Sequence, residues 1–313
     1  MKALRYTTSL KERWDRFVDD SKNGTFLFHR GYMDYHSDRF EDFSIVITDD
    51  RDAIVALFPA NIKGSAVVSH GGLTYGGVVL SDAFSGAEIL NLFDVLVDFL
   101  KRHGIRSVVY KPVPWIYHRQ PSEEDLYALF RLKASLIVRN LSTAINLIDP
   151  IPSSRLGKRA LKRQRKNHIC VSETDDVNEF WNIVIEDRRE RHNVVPVHTA
   201  AELMLLKSRF PDNIRFFTAV KEETGEVLGG AVIYLDRGVI HLQYAACTHE
   251  GKDLYATDVI YHELIYNIMA GNRFFDFGIS NEDGGRYLNE GMVRHKEEFG
   301  GRSVVYDMYE IKL

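Results

Sequence analysis

The chain has 313 residues, of which 45% are hydrophobic and 12% aromatic, enough to bury two cores of ordinary domain size. Its formal charge of −4 gives no overall attraction to nucleic acid or membrane, so an anionic partner would have to meet a local basic segment. The two cysteines, Cys170 and Cys247, stand in no metal-ligand spacing, and no stretch approaches the roughly 18 apolar residues of a membrane span. The sequence therefore predicts a cytoplasmic protein with no metal, no disulfide framework and no membrane span.

The N-terminal half alternates helix signals with short strands. Apolar residues at helical spacing open it, and strands then flank turns rich in Asp and Gly. A second helix begins at a capping box in Ser85 and Glu88 and stops at Gly104. In order, the predicted elements are a helix over 10–18, a hairpin over 43–58, a strand over 66–69, a glycine-rich loop over 71–77, a helix over 85–103 and a strand over 105–110.

The C-terminal half repeats this order of elements. A helix carries Val177, Phe180, Trp181 and Val184 on one face, and the capping box of Thr199 and Glu202 opens the next helix. The remaining elements are strands over 214–220, 227–235 and 239–246, a loop over 247–252, a long helix over about 253–269 and a strand over 273–277. The similarity is one of architecture, because no repeat is visible residue by residue.

The clearest run of breakers, Ile148-Asp149-Pro150-Ile151-Pro152-Ser153-Ser154, separates the two halves. We therefore predict an N-terminal domain over 1–149 and a C-terminal domain over 150–313. Each is expected to be α+β, with a mixed, mostly antiparallel sheet flanked by helices.

The last forty residues place one lysine among apolar neighbours. A predicted helix closed by Gly300 and Gly301 puts Leu288, Met292, Lys296 and Phe299 on one face. A lysine on an apolar face either snorkels to the surface or points into a cleft, where it would stabilise developing negative charge. The spacing alone leaves both alternatives open.

This segment resembles the C-terminal part of the FemABX-like acyltransferases. The resemblance rests on the strand ending Asp276-Phe277-Gly278-Ile279 and on Lys296-Glu297-Glu298-Phe299-Gly300. It implies two domains of the GNAT (N-acetyltransferase-like) fold, with the acceptor bound in the cleft between them. It also implies transfer of an acyl or aminoacyl group onto an amine of a nucleotide-linked cell-envelope precursor, such as one for peptidoglycan, with Lys296 as the lysine on which the mechanism relies.

The resemblance also indicates where an acyl donor would bind. GNAT folds hold the pyrophosphate of acyl-coenzyme A at the loop around Gly251, so Gly251, Lys252 and Arg163 are the predicted donor-binding residues. The usual pattern there fails at Thr248 and Asp253, and an aspartate facing a pyrophosphate is unfavourable. That departure suits an aminoacyl-tRNA donor, which is typical of the FemABX branch; the other interpretation of the loop is an ordinary strand-to-helix turn.

A run of cations without any acid follows the predicted boundary and fits an anionic partner such as tRNA. It consists of Arg155, Lys158, Arg159, Lys162, Arg163, Arg165 and Lys166. The alternative is a solvated helix face. The resemblance implies acceptor contacts from Arg191 and Arg39, and His198, Tyr75 and Gly76 complete the predicted substrate-binding residues.

Three residues are predicted to take part in the chemistry of acyl transfer. Lys296 would face the oxyanion or orient the donor, and Tyr244 and Asp276 are candidates near the proton that the amine must lose. Packing of Tyr244 in its strand and capping of a turn by Asp276 are the structural alternatives. Two other functions stay open: a coenzyme A-dependent GNAT N-acetyltransferase and a non-catalytic module that binds an anionic ligand or RNA.

Overall fold

The computed structural model describes residues 1–151, 155–192 and 194–313, the side chains of 155–158 and 191–192 excepted. The fold is α+β, with mixed sheets flanked by helices, as predicted. The chain folds into two compact units. The first contains Met1–Leu141, Asn281–Tyr287 and Val305–Leu313, and the second contains Ser142–Ser280 and Leu288–Val304. This division differs from the predicted one at 149/150 in two ways, because residues 142–149 belong to the second unit and two C-terminal segments belong to the first.

The strands and helices follow the predicted order. The strands are β1 (Lys2–Arg5), β2 (Ile45–Thr48), β3 (Ile54–Phe58), β4 (Asn61–Lys63), β5 (Ala66–Val68), β6 (Val79–Leu80), β7 (Ser107–Tyr110), β8 (Ser135–Asn146), β9 (Ile169–Thr174), β10 (Ile214–Lys221), β11 (Val227–Asp236), β12 (Val239–Cys247), β13 (Phe274–Ile279), β14 (Asn281–Glu282), β15 (Tyr287–Leu288) and β16 (Arg302–Lys312). The α-helices are α1 (Lys11–Asp20), α2 (Arg30–Met33), α3 (Ile89–Arg102), α4 (Glu124–Arg131), α5 (Arg155–Asn167), α6 (Asn178–His192), α7 (Ala200–Arg209), α8 (His249–Asp253), α9 (Ala256–Glu263) and α10 (Glu290–Glu298).

The first unit contains an antiparallel sheet in the order β1-β2-β3-β6 and strands in the order β4-β5-β7-β16. The predicted hairpin is formed by β2 and β3, with Ile45 opposite Phe58. The apolar stripe of α3 contributes Leu92, Phe93 and Leu96 to the same core as the buried residues of these strands. β16 pairs antiparallel with β7, so the unit needs the C-terminal strand to complete its sheet.

The second unit contains strands in the order β9-β10-β11-β12-β13-β8, antiparallel except for β12 and β13. Its two faces are covered by different helices. Gly230 of β11 lies against Phe180 of α6, whereas Ala231, the next residue, shares the core with Val259 and Ile260 of α9. Since successive strand residues point to opposite faces, α6 and α9 cover opposite sides of this sheet.

The predicted loop over 247–252 is wrong in part, because it contains the short helix α8, and the predicted long helix over 253–269 begins only at Ala256. α8 ends at Asp253, and Tyr255 then adopts a left-handed conformation with φ of 59° before α9 begins. After α9 the chain continues as a π-helical turn over Leu264–Ile268. Left-handed backbone at a non-glycine residue is unfavourable and cannot be read from helical periodicity.

A buried acid gives the first unit a pH-dependent stability. The pKa of Asp125 is raised to about 7 by burial, although Tyr110 donates a hydrogen bond to its carboxyl at 2.7 Å. In the unfolded chain an aspartate ionises near pH 4, so Asp125 should contribute a fall in the free energy of unfolding as pH rises from about 4 to 7. Asp125→Asn is expected to flatten this fall. Urea unfolding at pH 5 and pH 8 measures it, with the exposed Asp94→Asn as control, and an unchanged slope would contradict the assignment.

Candidate active site

A β-bulge shapes the middle of β12. Val232 of β11 faces Tyr244 while Ile233 faces Leu242, so Gln243 is the extra residue. Without it, His241 and Tyr244 would point to opposite faces, because side chains alternate. The extra residue brings both onto the face covered by α6. There the Tyr244 ring packs edge to face against Trp181, with ring centres 4.8 Å apart. Gln243 also keeps a buried side-chain oxygen for which the described residues offer no partner.

Strands β12 and β13 part just beside this bulge. Their parallel pairing ends with His241 opposite Asp276, although β12 continues to Cys247 and β13 to Ile279. We call the two diverging ends, residues 242–247 and 277–279, the strand fork. Backbone groups that face each other across the fork are not joined by strand pairing, so an extended ligand with amide groups could bond there.

A histidine and an aspartate lie at the point where the fork opens. The Asp276 side chain is fully buried, and its Oδ2 lies 2.8 Å from Nδ1 of His241. Its Oδ1 accepts from the Ser142 hydroxyl at 2.6 Å and from the Gly278 N–H at 3.0 Å. These donors compensate the carboxylate for its lost hydration. Asp276 thus caps the turn at Gly278, as one sequence alternative held, and also orients a histidine.

Lys296 lies on the other side of the same turn. Its ammonium donates to the Gly278 carbonyl at 2.8 Å, the Ile279 carbonyl at 3.1 Å and the Ser280 hydroxyl at 2.8 Å. Burial lowers the pKa of Lys296 to about 8, against the opposing effect of the Asp276 charge. The side chain therefore points inward and does not snorkel to the surface.

The predicted apolar face of the last helix is wrong in part. Leu288 and Met292 are exposed, and Leu288 lies in β15, outside α10. The buried side of α10 is formed by Val293 and Lys296, and Phe299 follows at the helix end. The error arises because Asn289 caps the helix, accepting from the Met292 N–H, so the first predicted turn does not exist.

His198 and Tyr244, which were predicted separately, are in contact. The Tyr244 hydroxyl lies 2.7 Å from Nδ1 of His198, and both side chains are buried. Burial raises the pKa of Tyr244. The predicted capping box at Thr199 and Glu202 is present and fixes the start of α7 directly after His198. The pair lies on the same sheet face as His241.

The predicted loop around Gly251 forms the helix α8, and its polar groups have partners within the protein. The Gly251 N–H donates to the Thr248 hydroxyl at 3.0 Å, and a Cβ at Gly251 would lie only 2.1 Å from the Leu228 carbonyl. Lys252 forms an ion pair with Asp187 at 2.9 Å, and Lys221 pairs with Glu250 at 2.9 Å. Two cations near this loop thus already have carboxylate partners, which makes the surroundings unfavourable for a pyrophosphate.

Arg163 is likewise engaged within the second unit. Its guanidinium donates to Asp258 at 2.8 Å and lies 3.2 Å from the centre of the Tyr255 ring. Asp258 also lies 3.0 Å from Nε2 of His295. Arg163 therefore ties α5 to the start of α9. The described cations of α5 that remain exposed are Arg159, Lys162, Arg165 and Lys166.

The predicted substrate residues of the first unit have structural partners. Tyr75 is buried against Tyr117, with ring centres 4.8 Å apart. A Cβ at Gly76 would lie 2.0 Å from the Ser69 carbonyl, so close packing requires a glycine there. The Arg39 guanidinium lies 5.6 Å from the centre of the Tyr35 ring.

Some predicted features fall outside the described part of the chain. The side chains of Arg191, Arg155 and Lys158 are among these, as are residues 152–154 of the breaker run. Within the described ranges, no group of three or more His, Cys, Asp or Glu side chains could hold a metal ion. No helix of the described chain is long and apolar enough to cross a membrane.

Sequence reasoning missed His241 and Gln243. Both lie in a strand whose alternation looks regular, and a bulge has no signature in that pattern. The available signal was a histidine and a glutamine on the partly polar side of an otherwise apolar strand, Val239-Ile240-His241-Leu242-Gln243-Tyr244. The partner aspartate lies 35 residues further along the chain.

Comparison with known proteins identifies the class. Residues 154–288 match the family model of the acetyltransferase (GNAT) domain. The chain therefore carries a GNAT domain and is an acyltransferase. No curated protein matches it in sequence.

Solved structures extend the likeness over the whole chain. FemX superposes with a TM-score of 0.69 at 11% identity, covering 100% of this chain and 98% of FemX. L-PGS from Bacillus licheniformis superposes with a TM-score of 0.61 at 12% identity, covering 95% of this chain and 90% of that one. A tandem GNAT protein from the clavulanic acid biosynthesis pathway gives 0.53 at 11% identity, covering 99% and 98%. The fold is thus FemABX-like, with GNAT-type architecture, as the sequence predicted.

Proposed function

We propose that this acyltransferase moves an aminoacyl group from a charged tRNA onto the amine of a nucleotide-linked cell-envelope precursor of the peptidoglycan type. The observation that carries this proposal is the strand fork, with His241 and Asp276 where it opens and Lys296 bonded to the turn over 278–280 at the end of β13. Transfer to an amine needs a place for an extended acyl chain, a proton acceptor and fixed positive charge near the reacting carbonyl. Both reactants are cytoplasmic molecules, so the proposal includes a cytoplasmic location.

The short helix α8 and its N-cap residue Thr248 favour tRNA over coenzyme A as the donor. A pyrophosphate bound there would need N–H groups and cations, but the Gly251 N–H is taken by Thr248 and Lys252 is paired with Asp187. The exposed cations of α5 provide positive charge elsewhere in the same unit. We propose that they contact the donor's phosphates and that Lys296 holds the turn over 278–280 in place beside the reacting groups.

The test is a transfer assay with purified protein and one acceptor, a nucleotide-linked peptidoglycan precursor with a free lysine amine. Charged tRNA and acetyl-coenzyme A are supplied separately, and the product is weighed by mass spectrometry. We expect the acceptor to gain one aminoacyl residue with tRNA and nothing with coenzyme A. An acetylated product without any aminoacyl product would instead establish the coenzyme A-dependent acetyltransferase, and no product from either donor would refute the proposed function.

Charge reversal on α5 tests the donor contact. The triple variant Lys162→Glu, Arg165→Glu, Lys166→Glu should raise KM for charged tRNA about tenfold or more. A plot of log KM for charged tRNA against log salt concentration should also become less steep, by roughly one unit of slope for each lost phosphate contact. The matched control is Lys101→Glu, Arg102→Glu, Arg106→Glu, three exposed cations of the first unit. Equal effects of the two triples would contradict a specific role for α5.

A further inference from the structure

We propose that His241 is the proton acceptor for the attacking amine and that Asp276 positions it. This inference rests on the proposed function, because it assigns a step of that transfer. It goes beyond Lys296, Tyr244 and Asp276, the three residues that the sequence indicates for the chemistry.

The first support is the geometry of the pair. Oδ2 of Asp276 lies 2.8 Å from Nδ1 of His241, and the aspartate is held by Ser142 and the Gly278 N–H on its other oxygen. A carboxylate that accepts at Nδ1 keeps the proton on that nitrogen, which leaves the lone pair on Nε2. Nε2 is the atom that we propose takes a proton from the amine.

The second support is the position of the pair in the fold. His241 and Asp276 form the last paired register before β12 and β13 diverge, so the imidazole lies where the strand fork begins. Its side chain keeps 14% of its surface exposed, whereas that of Asp276 has 0%. The histidine is therefore the member of the pair that a substrate can reach, and the aspartate can act only through it.

The acceptor enters as an ammonium and gives one proton to Nε2 of His241. The amine lone pair then forms the new C–N bond to the acyl carbon, and the bond from that carbon to the ribose oxygen of the tRNA breaks. A second proton leaves the nitrogen and ends on the departing oxygen. The product is an amide with one N–H, and His241 releases its proton to water.

Substitution of His241 tests the step. His241→Asn should lower kcat for a lysine-type amine by about 10²- to 10⁴-fold, the usual range for general base catalysis, with KM for the donor unchanged. With an acceptor whose amine is already neutral at the assay pH, the loss should shrink to about tenfold or less. A purely structural role for His241 would give equal losses with both acceptors and would overturn the inference.

The control is His168→Asn, the same exchange at an exposed position of the same unit, where φ is 48° and asparagine is tolerated. It should keep wild-type kcat. If His241→Asn fails to fold, His241→Gln is assayed in its place. Wild-type kinetics in the His241 variant would also overturn the inference while leaving the proposed function standing.

A measurement without turnover separates the two proposals. Long-range ¹H–¹⁵N NMR of the wild-type protein should show His241 with its proton on Nδ1, and Asp276→Asn should abolish that preference. Finding the proton on Nε2 at neutral pH would overturn the inference even in an active enzyme. A wild-type protein that transfers nothing would instead refute the proposed function, and the step assigned to His241 with it.

Discussion

Lys296→Met is expected to lower kcat/KM about 10²- to 10³-fold while changing the free energy of unfolding at pH 7 by no more than about 1–2 kcal/mol. Activity falls because the ammonium fixes the turn over 278–280, and the Gly278 N–H of that turn holds Asp276. Stability changes little because two effects oppose each other. The variant loses hydrogen bonds to three acceptors, but it also loses a buried charge.

The lowered pKa of Lys296 should make the free energy of unfolding depend on pH. Burial lowers the pKa of Lys296 to about 8, whereas a lysine in the unfolded chain titrates near 10.4. Between these values the unfolded chain holds the proton and the folded protein has lost it, so the wild-type free energy of unfolding should gain a contribution that rises with pH. Lys296→Met should show a smaller rise, because it lacks the contribution of Lys296 and keeps that of Lys111, whose pKa burial also lowers to about 8.

Urea unfolding at pH 7, 8, 9 and 10, together with the transfer assay, measures both effects. Lys312→Met removes a lysine whose side chain is 81% exposed and should match the wild type throughout. A Lys296→Met protein that retains full activity would show that the turn needs no lysine, and Lys296 would then lose its proposed role.

Gly251→Ala is expected to reduce the free energy of unfolding by about 2–3 kcal/mol. The added Cβ would lie 2.1 Å from the Leu228 carbonyl and 3.1 Å from the Cys247 Cβ, so α8 would have to move away from β11. That movement would also disturb the hydrogen bond from the Thr248 N–H to the same Leu228 carbonyl. Urea unfolding without any ligand measures the loss.

The matched control is Gly291→Ala, another glycine near the start of a helix. A Cβ there would meet nothing closer than the Asn289 side-chain oxygen at 3.6 Å. Alanine is the better helix former, so this variant should be as stable as the wild type or slightly more stable. If Gly251→Ala instead left stability unchanged and weakened donor binding, the glycine would serve a ligand, as the resemblance implied.

The order of elements was predictable because each one carries a local signal. The α3 stripe, the capping box at Thr199 and the hairpin over 43–58 all rest on residues a few positions apart, and all three appear in the structure. The break before α9 was not predictable, since the left-handed backbone at Tyr255 contradicts the helical pattern around it.

The site could be predicted only in part, for a physical reason. Lys296 stood out because a charge among apolar residues is unusual along the chain. His241 did not, because its significance comes from a bulge and from an aspartate on a different strand. The same limit applies to Gly251. The glycine is visible in the sequence, but the Leu228 carbonyl that leaves no room for a Cβ lies on a different element, β11.

Because segments of the two units alternate along the chain, no single cut in the gene yields both units complete. A fragment ending at the predicted boundary, or at the edges of the matched GNAT domain, would deprive the first unit of β16 and its pairing with Ser107–Tyr110. During synthesis, the second unit has all its residues before the first receives Val305–Leu313. We therefore expect the N-terminal segment to emerge from the ribosome first yet complete its folding last, with the edge of β7 exposed to aggregation in the interval.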